Sequence, residues 1–420
     1  MNAQPSEAIG SEVADSGSPG GEGIWALDPA VTFLNHGSFG SCPRPVLLAQ
    51  QAWRDRMEAD PIDFFVRQLE GHLDAARSEV AAFVGAIPQH LAFVPNATTA
   101  VSSVLRSLRF EPGDELLTND QEYPSSVYAL RDVVQRSGAK LVIVPVPFPI
   151  REPGQVFDAV LAGVTSRTKL AVISHVTSGT ALIFPIAELV RELARRGVAT
   201  LVDGAHAPGM LPLSLDDLGA DYYTGNGHKW LSAPKGAAFL HVRPDLQAQI
   251  RSLVISHGTE SPRDDRSRFW LEFDWQGSHD PSPYLALPVA IRLLGSLLPG
   301  GWPELMAANH ALALAGRDLV CERLGVEPPA PDEMLGSMAV VPLQPLGSPR
   351  LRHTGAEISD LLWERYRIEI PVGDWPNPMS SEVAPGSPRC YARISAQRYN
   401  DLGQYAMLAD AVSEILASPA

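Results

Sequence analysis

The chain has 420 residues, 45% of them hydrophobic, which is enough length and apolar material for two domains. Its formal net charge of -15 at pH 7 argues against a nucleic-acid or anionic-membrane partner, since both require a basic protein surface. Three scattered cysteines, Cys42, Cys321 and Cys390, argue against a disulfide framework or a zinc site, so we expect a reducing, cytoplasmic location and no bound metal.

The N-terminal residues 1–23 are rich in Ser, Gly and Glu and are expected to form a disordered tail. They lack the basic and then apolar pattern of a secretory signal. No later stretch has the unbroken apolar length needed to cross a bilayer.

After this tail, the short β-type run 31–34 predicts a strand that leads into a turn at Asn35. Helices are expected at 45–59 and 64–83. Asp60-Pro61 separates them, because proline cannot continue a helix.

From residue 91 onward, short apolar runs alternate with longer helical stretches. The pattern predicts strands at 91–94, 115–118, 140–146, 169–174, 198–202 and 236–242, and helices at 98–108, 125–136 and 186–196. Such alternation with short links favours an α/β fold, in which helices cover both faces of a mainly parallel sheet.

Beyond about residue 287, longer helices and proline-rich links predict a smaller α+β domain, with a loop at 327–331. The expected organisation is therefore a tail at 1–23, a large domain at 24–286 and a small C-terminal domain at 287–420.

Two residues carry the chemistry of the large domain, Asp203 at the end of the run 198–202 and Lys229 further on. A carboxylate at the edge of a parallel sheet can keep a pyridinium nitrogen protonated, and a lysine in a dry pocket can form an imine with an aldehyde. Taken singly, Asp203 also fits a turn before Gly204 and Lys229 a solvated surface position. Taken together, and with His228 and Trp230 beside the lysine, they indicate a pyridoxal 5'-phosphate (PLP) site.

These residues resemble the fold-type I PLP enzymes of the class V aminotransferase family, and within it the isopenicillin N epimerase-like group. The matching segments run from 33–40 (Phe-Leu-Asn-His-Gly-Ser-Phe-Gly) to 393–395 (Arg-Ile-Ser) and 399–400 (Tyr-Asn). The resemblance implies a fold-type I architecture, PLP as the cofactor and an amino acid as the substrate.

The phosphate of the cofactor needs hydrogen-bond donors, and residues 96–100 (Asn-Ala-Thr-Thr-Ala) offer them where a strand gives way to a helix. An ordinary N-cap by Asn96 or Thr98 is the alternative. The order of the motifs makes the segment similar to the family's phosphate loop. On this resemblance the phosphate contacts are Ala97, Thr98, Thr99, Asn226 and His228.

The resemblance also assigns contacts to the pyridine ring and its phenolic oxygen. Tyr123 stands where many family members have a stacking histidine, and core packing is its alternative role. Ala205 is expected on the opposite face. His206 and Ser178 are expected near the phenolic oxygen, with a core histidine and a turn residue as the alternatives.

Ser278 falls where the family commonly has a threonine that reaches the phosphate bound by the neighbouring subunit. The resemblance therefore implies a homodimer with shared sites. A solvated loop serine is the alternative.

The substrate's carboxylate also needs a partner, and Arg393 is the best candidate because a planar guanidinium can make two parallel hydrogen bonds to it. A surface ion pair is the alternative for Arg393, and Arg398 is assigned to the surface. The family places the entrance of the active site at the turn containing Asn35, which makes Asn35 a second substrate candidate.

The expected chemistry is proton removal from the α-carbon by Lys229, with Asp203 sustaining the charge of the ring. This chemistry serves an epimerase, and equally a carbon-sulfur lyase of the cystine or hercynylcysteine sulfoxide type, or an aminotransferase. A non-catalytic cofactor-binding protein is a further alternative, which the intact pair of Asp203 and Lys229 disfavours.

A sulfur-transferring desulfurase requires a mobile cysteine near the substrate. The loop 373–389 contains no cysteine, and Cys390 is expected to be a buried residue on a strand. The sequence therefore disfavours a persulfide-forming enzyme.

Overall fold

The computed structural model describes residues 22–345, 348, 351–375 and 389–417. The tail expected at 1–23 lies outside these residues except for its last two, which begin the 3-10 turn Glu22–Ile24. Within the described part of the chain, no helix has both the length and the apolar character needed to span a membrane.

The strands of the described residues match the expected ones closely. In chain order they are β1 (Thr32–Phe33), β2 (Leu91–Val94), β3 (Glu115–Asn119), β4 (Lys140–Val144), β5 (Thr168–Ser174), β6 (Ala199–Asp203), β7 (Tyr222–Asn226), β8 (Ala238–Val242), β9 (Met338–Pro342), β10 (Ile368–Glu369), β11 (Val372–Trp375) and β12 (Arg389–Ser395). Each strand expected up to residue 242 is found within two residues at either end. β7 was not expected, because it ends in Gly225 and Asn226, two residue types that are depleted in strands.

The helices follow the expected pattern as well. The longer ones are Arg44–Ala59, Leu69–Val84, Ala97–Ser107, Pro124–Ser137, Gly154–Ala162, Ile186–Arg195, Ser282–Gly295, Gly301–Leu324, Gly355–Tyr366 and Leu402–Ala417. The helix expected at 64–83 begins instead with a π turn, Phe64–Gln68. The break before it has a physical cause, since the Asp60 side chain accepts the N–H of Asp63 and caps a new start at Pro61.

The central sheet has seven strands in the order β2-β8-β7-β6-β5-β3-β4. The neighbours from β7 through β4 are parallel, whereas β8 runs antiparallel to both β7 and β2. Successive residues point to opposite faces of the sheet. Ile173 and Val202 therefore enter one hydrophobic core, while Val172 and Leu201 enter the other.

The C-terminal part forms a second, antiparallel sheet in the order β11-β12-β9, next to helices Gly301–Leu324 and Gly355–Tyr366. β1 pairs in parallel with β10, which joins the N-terminal strand to this part of the molecule. The structure is thus the expected α/β fold, with a mainly parallel large-domain sheet and a smaller α+β domain. The boundary expected between residues 286 and 287 falls inside helix Ser282–Gly295.

The strand directions decide where a site can form. β3, β5, β6 and β7 are parallel, so their carboxyl ends meet at one edge of the sheet, where open α/β folds bind ligands. Tyr123, Ser178, Asp203 and Lys229 all follow or occupy these ends. The topology therefore gathers residues that are more than one hundred positions apart.

Candidate active site

A cavity of 310 Å³ lies at this carboxyl edge of the sheet. Its wall contains ten of the expected cofactor contacts: Ala97, Thr98, Tyr123, Ser178, Asp203, Ala205, His206, Asn226, His228 and Lys229. The wall is completed by Ser38, Phe39, Pro95, Asn96, Ser174, Val176, Lys235 and Gly236. Thr99, Ser278, Asn35 and Arg393 do not line it.

A larger cavity of 800 Å³ lies at the opposite, amino-terminal edge of the sheet. Three of its four basic residues, Lys169, Arg243 and Arg251, face Asp114, Asp221 and Glu272, with N–O distances of 3.9, 2.6 and 2.8 Å. Because no strand carries a catalytic group at that edge, the smaller cavity is the candidate active site.

Asp203 ends β6 with its carboxylate buried. The Ser126 hydroxyl donates to Oδ2 and the Ala205 N–H donates to Oδ1, both at 3.1 Å. Burial raises the pKa of Asp203, and the Ala205 N–H, the charge of Lys229 and the Ser126 hydroxyl oppose the rise. A carboxylate fixed by two donors is well placed to balance a positively charged ring nitrogen.

Glu122 is a second buried acid beside Asp203, and the sequence did not single it out. Its Oε1 accepts the Ser174 hydroxyl at 2.6 Å and the Tyr123 N–H at 2.8 Å, whereas its Oε2 has no partner among the described residues. Burial, and then the nearby Asp203, raise the pKa of Glu122 to about 8. The raised pKa favours the protonated form of Glu122 beside Asp203.

Lys229 lies in the same cavity with its amine against His206. The Trp230 indole N–H donates to His206 Nδ1 at 3.4 Å, so the neutral ring carries its hydrogen on Nε2, which is 2.8 Å from Lys229 Nζ. Burial, and then Arg393, lower the pKa of Lys229 to about 7. The amine is thus substantially unprotonated at neutral pH, as nucleophilic attack on an aldehyde requires.

The backbone of Lys229 is held by the N-terminal segment. His36 Nε2 donates to the Lys229 carbonyl at 3.0 Å, and the Tyr399 hydroxyl donates to His36 Nδ1 at 2.7 Å. Burial lowers the pKa of His36 to about 3, so the ring remains neutral in this role. Gly40 has φ of +66°, and a Cβ there would lie 2.4 Å from the His228 carbonyl oxygen. These contacts explain why residues 36–40 belong to the site.

The N-terminus of helix Ala97–Ser107 faces the cavity. Asn226 Oδ1 accepts the Ala97 N–H at 2.9 Å, and Asn96 Oδ1 accepts both the N–H and the hydroxyl of Thr99, at 2.8 and 3.1 Å. Thr99 is thereby occupied in the cap. Thr98 is exposed in the cavity wall, and its hydroxyl has no partner among the described residues.

His228 donates from Nδ1 to the Ala237 carbonyl at 3.2 Å. Burial, and then Lys229, lower its pKa to about 4, so Nε2 carries a lone pair at neutral pH. His228 can therefore donate to a phosphate only after gaining a proton, which the charge of a bound phosphate would favour.

Arg393 lies behind the cavity wall and is fully buried. Its guanidinium donates to the carbonyl and hydroxyl of Ser178, to Asn35 Oδ1 and to the Ser38 hydroxyl, at 2.7, 3.2, 3.1 and 2.7 Å. No carboxylate of the described residues lies within ion-pair distance of it, and its Nε has no partner there. Burial lowers the pKa of Arg393 to about 10, so the group remains a cation. An uncompensated buried cation is a natural receptor for a carboxylate.

The remaining expected contacts differ in their placement. Tyr123 begins helix Pro124–Ser137 and keeps 41% of its surface exposed, so its ring is free to cover a bound heterocycle. Ala205 and Ser178 lie in the wall. Ser278 is exposed and outside the cavity of its own chain.

Three residues in or next to the cavity wall had weak sequence signals. Glu122 stands directly before Tyr123, and Ser126 lies in the first helical turn after it, so both follow β3 closely. Lys235 lines the cavity and donates to the Gly40 carbonyl at 2.6 Å, but no local pattern distinguishes it from a surface lysine.

The residues present fit PLP. The cavity combines a buried carboxylate, an unprotonated lysine, an aromatic ring and a helix N-terminus. These correspond to the four groups that the ring nitrogen, the aldehyde, the ring face and the phosphate of PLP require.

Comparisons with known proteins agree with this geometry. Residues 42–270 match the family described as aminotransferase class-V. The chain is 38% identical to isopenicillin N epimerase of Amycolatopsis lactamdurans, over 93% of this chain and 96% of that protein. It is 31% identical to putative L-cysteine desulfhydrase 1 of Oryza sativa subsp. japonica, over 93% and 84%. It is 26% identical to hercynylcysteine sulfoxide lyase of Schizosaccharomyces pombe (strain 972 / ATCC 24843), over 81% and 86%.

Among solved structures, the chain is similar to a C-DES mutant with glycine covalently linked to its PLP cofactor. The TM-score is 0.72 at 21% identity, covering 91% of this chain and 96% of the other. This likeness supports the fold-type I assignment. The matched domain, the relatives spanning nearly its whole length and the constellation around Lys229 show that this chain is a PLP-dependent enzyme of the class V aminotransferase family.

Proposed function

We propose that this enzyme epimerises an amino acid at its α-carbon. The observation that carries the proposal is the buried Arg393, which has no carboxylate partner among the described residues. Its guanidinium donates to Ser178 and Ser38, two residues in the wall of the cavity that contains Lys229. An amino acid bound through its carboxylate at Arg393 would present its α-carbon to the lysine side of the cavity.

In this proposal each residue has a defined task. Bound PLP supplies an electron sink for the α-carbon. Lys229 Nζ would hold the cofactor and, once released, would remove the α-hydrogen, and epimerisation then requires a proton to be delivered to the opposite face of the α-carbon. Asp203 balances the positive ring nitrogen, while Tyr123 and Ala205 lie on the two faces of the ring. Arg393 and Asn35 orient the substrate.

The phosphate would be held at the N-terminus of helix Ala97–Ser107. We assign Thr98 as its main contact, because its hydroxyl is without a partner among the described residues. The resemblance also assigns Ala97, Thr99, Asn226 and His228 to the phosphate. Because the N–H of Ala97 and both donors of Thr99 already bond Asn226 and Asn96, we propose Asn226 and His228 as the further contacts. His206 and Ser178 are assigned to the phenolic oxygen.

The epimerase assignment rests on similarity to the Amycolatopsis lactamdurans protein over 93% of this chain. A carbon-sulfur lyase is the second candidate, favoured by the desulfhydrase and sulfoxide lyase relatives. A persulfide-forming desulfurase is disfavoured, because Cys390 is buried on β12 and its thiol donates to Asp374 Oδ1 at 3.0 Å.

Isotope exchange separates the two candidates. L-amino acids and thioether conjugates are incubated with holoenzyme in deuterated water. An epimerase would place deuterium at the α-carbon and lower the optical rotation without releasing ammonia. Release of ammonia with a 2-oxo acid would instead establish the lyase, and Lys229→Ala serves as the inactive control. Retention of the α-hydrogen in every substrate would rule out both.

We also propose that the enzyme is a homodimer in which Ser278 contacts the partner's phosphate. Ser278 is exposed and outside its own cavity, as a residue serving a neighbour must be. Phe39, Leu48, Ile62 and Val66 are large hydrophobic residues with 64 to 72% of their surface exposed, and Phe39 lies in the cavity wall. Such exposure beside a site favours burial against a second copy.

A cytoplasmic location is proposed from the cysteines. Cys42, Cys321 and Cys390 are buried, and none of the three is in a disulfide bond in the described structure. Cysteines without disulfide bonds are typical of a reducing compartment.

A further inference from the structure

Epimerisation takes a hydrogen from one face of the α-carbon and delivers a proton to the other. A proton-transfer group on each side of the carbon achieves this without a large movement. Lys229 serves one side in the proposed function. Its Nζ lies 2.8 Å from His206 Nε2, and His206 directly follows Ala205. Lys229 therefore approaches a bound cofactor from the Ala205 side, and the second group has to come from the opposite wall of the cavity.

Tyr123 comes from that opposite wall. Lys229 follows β7 and Tyr123 follows β3, and β6 and β5 lie between these two strands in the sheet. Neighbouring strands are about 4.8 Å apart, so the two residues enter the cavity from strand ends about 14 Å apart. Asp203, at the end of β6, lies between them.

The backbone of Tyr123 is fixed, whereas its hydroxyl is available. Glu122 Oε1 accepts the Tyr123 N–H at 2.8 Å, and Pro124 begins the helix that follows. The ring is exposed in the cavity wall, and its hydroxyl makes no hydrogen bond to any of the described residues. A ring that only covers the cofactor needs no hydroxyl, since phenylalanine would cover the same face.

The other general acids and bases of the cavity wall do not reach this side. The side chains of the wall that can act in this way are Tyr123, Asp203, His206, His228, Lys229 and Lys235. Asp203 is held by two donors as the partner of the ring nitrogen. The two histidines and Lys235 follow β6 or β7, on the Lys229 side. Of these six described residues, Tyr123 alone comes from the β3 side.

Arg393 places the Tyr123 hydroxyl near the substrate. Burial lowers the pKa of Arg393 to about 10, and the charge of the Tyr123 phenol raises it. A negative charge on the phenol oxygen is therefore attracted by the guanidinium. Because Arg393 is also the proposed receptor for the substrate carboxylate, the hydroxyl lies on the side of the cavity where the α-carbon would be.

We propose that the Tyr123 hydroxyl is the second acid-base group of the epimerisation, on the face of the α-carbon opposite to Lys229. The inference rests on the proposed function. Lys229 Nζ takes the α-hydrogen as a proton, and the Tyr123 hydroxyl gives its proton to the opposite face. The electron pair left on the α-carbon forms the new C–H bond. The enzyme then holds an ammonium and a phenolate, and transfer of one proton between them through solvent restores both groups.

Exchange of each stereoisomer separately tests the proposal. Both isomers of alanine, methionine and glutamate are incubated with holoenzyme in deuterated water. With the wild type, both isomers of a substrate should lose their α-hydrogen and interconvert.

Tyr123→Phe keeps the ring and removes the hydroxyl. Inversion should fall at least about a hundredfold, since a positioned acid or base contributes about a hundredfold or more. The isomer whose hydrogen faces Lys229 should still exchange within severalfold of the wild-type rate and keep its configuration. The other isomer should no longer exchange. A residue that only packs against the cofactor would not separate the two isomers.

Tyr128→Phe is the matched control. Tyr128 lies in the same helix, Pro124–Ser137, at an exposed position outside the cavity wall. Its replacement should change neither exchange nor inversion. The absorbance of bound PLP shows that both variants retain the cofactor and are folded.

The outcomes separate this inference from the proposed function. Near-normal inversion by Tyr123→Phe would mean that Lys229 serves both faces, which overturns the inference and leaves the proposed function intact. An equal loss of exchange in both isomers would reduce Tyr123 to a covering ring and also overturns it. Wild-type holoenzyme that exchanges neither isomer of any probe, or that releases ammonia without inversion, overturns both.

Discussion

At the scale of single residues, the site is defined by two buried basic side chains without ion-pair partners among the described residues, Lys229 and Arg393. Burying an unpaired charge is costly, and the two side chains respond differently. The amine loses its proton easily, which turns Lys229 into a nucleophile. The guanidinium keeps its charge, which turns Arg393 into a receptor for an anion.

The pH dependence of cofactor capture should report the lowered pKa of Lys229, about 7. Below that pH the amine is protonated and cannot attack, whereas above it the amine is free. Between pH 6 and 8 the free fraction rises about tenfold and then levels off, whereas an ordinary lysine would rise about a hundredfold and continue upward. Borohydride trapping of PLP on the apoenzyme at each pH measures the rate. A rate still climbing above pH 9 would contradict the lowered pKa.

Replacing Lys229 should abolish covalent attachment of the cofactor. Lys229→Ala retains the cavity but offers no amine at this position, so borohydride reduction should leave the protein unlabelled. Lys235→Ala is the matched control, because Lys235 lines the same cavity and should still allow labelling of Lys229. Peptide mass spectrometry that finds the label on Lys235 would show the assignment to be wrong.

Asp203→Ala should reduce turnover by at least about a hundredfold, as removal of a preorganised charge does at other active sites. Ser126→Ala keeps the carboxylate of Asp203 and removes one hydrogen bond to it, worth about 1 kcal/mol. The turnover of this variant should therefore fall by about tenfold or less. Steady-state kinetics of both holoenzymes makes the comparison. Near-normal turnover in Asp203→Ala would remove the electron-sink argument.

At the scale of elements, two capped helices have similar N-termini but different surroundings. Asn96 caps helix Ala97–Ser107 at the active site, and Thr354 caps helix Gly355–Tyr366 through a capping box with Glu357. Only the first helix points its N-terminus into the active-site cavity. Substitutions at the two caps can therefore separate an effect on protein stability from an effect on cofactor binding.

Alanine at either cap should lower the free energy of unfolding by about 1 kcal/mol. Asn96→Ala should also weaken PLP binding severalfold, because the first turn that donates to the phosphate loses its anchor, whereas Thr354→Ala should leave PLP binding unchanged. Urea unfolding of the apoenzymes and cofactor titration supply the two measurements. Equal cofactor affinity in both variants would show that the helix N-terminus does not hold the phosphate.

At the scale of the whole molecule, one chain leaves part of its site open. Thr98 and Tyr123 are exposed in the cavity wall, and Phe39 is 70% exposed beside them. A second copy that covers this mouth would exclude water from the site and supply Ser278.

Ser278→Ala should weaken cofactor binding about tenfold to a hundredfold, since a hydroxyl bond to a charged phosphate contributes roughly 1.5 to 3 kcal/mol. Ser413→Ala, at an exposed position in helix Leu402–Ala417, is the control. Sedimentation of the wild type determines the oligomeric state. A fully active monomer, or unchanged affinity in Ser278→Ala, would refute the shared site.

Much of this architecture was predictable from local sequence. The period of apolar residues placed the strands up to residue 242 within two residues, with β7 as the exception. A Cβ at position 225 in β7 would lie 2.5 Å from Pro208 and 2.6 Å from Phe239, so packing requires glycine there. No local sequence pattern reveals that requirement. The sequence also paired Asp203 with Lys229, because the end of an apolar strand and a lysine between His228 and Trp230 are both local features.

The family resemblance named most of the residues around that pair, but only the tertiary structure shows which of them touch one another. His36 reaches the Lys229 carbonyl across 193 positions, and Arg393 reaches Asn35 across 358. Glu122 meets Asp203 because β3 and β6 both flank β5 in the sheet, so their carboxyl ends lie at the same edge. The sequence determines each strand through its own side chains, but the order of strands depends on contacts between distant segments. That order set the pKa of Lys229 and buried Arg393 where none of the described residues offers it a carboxylate.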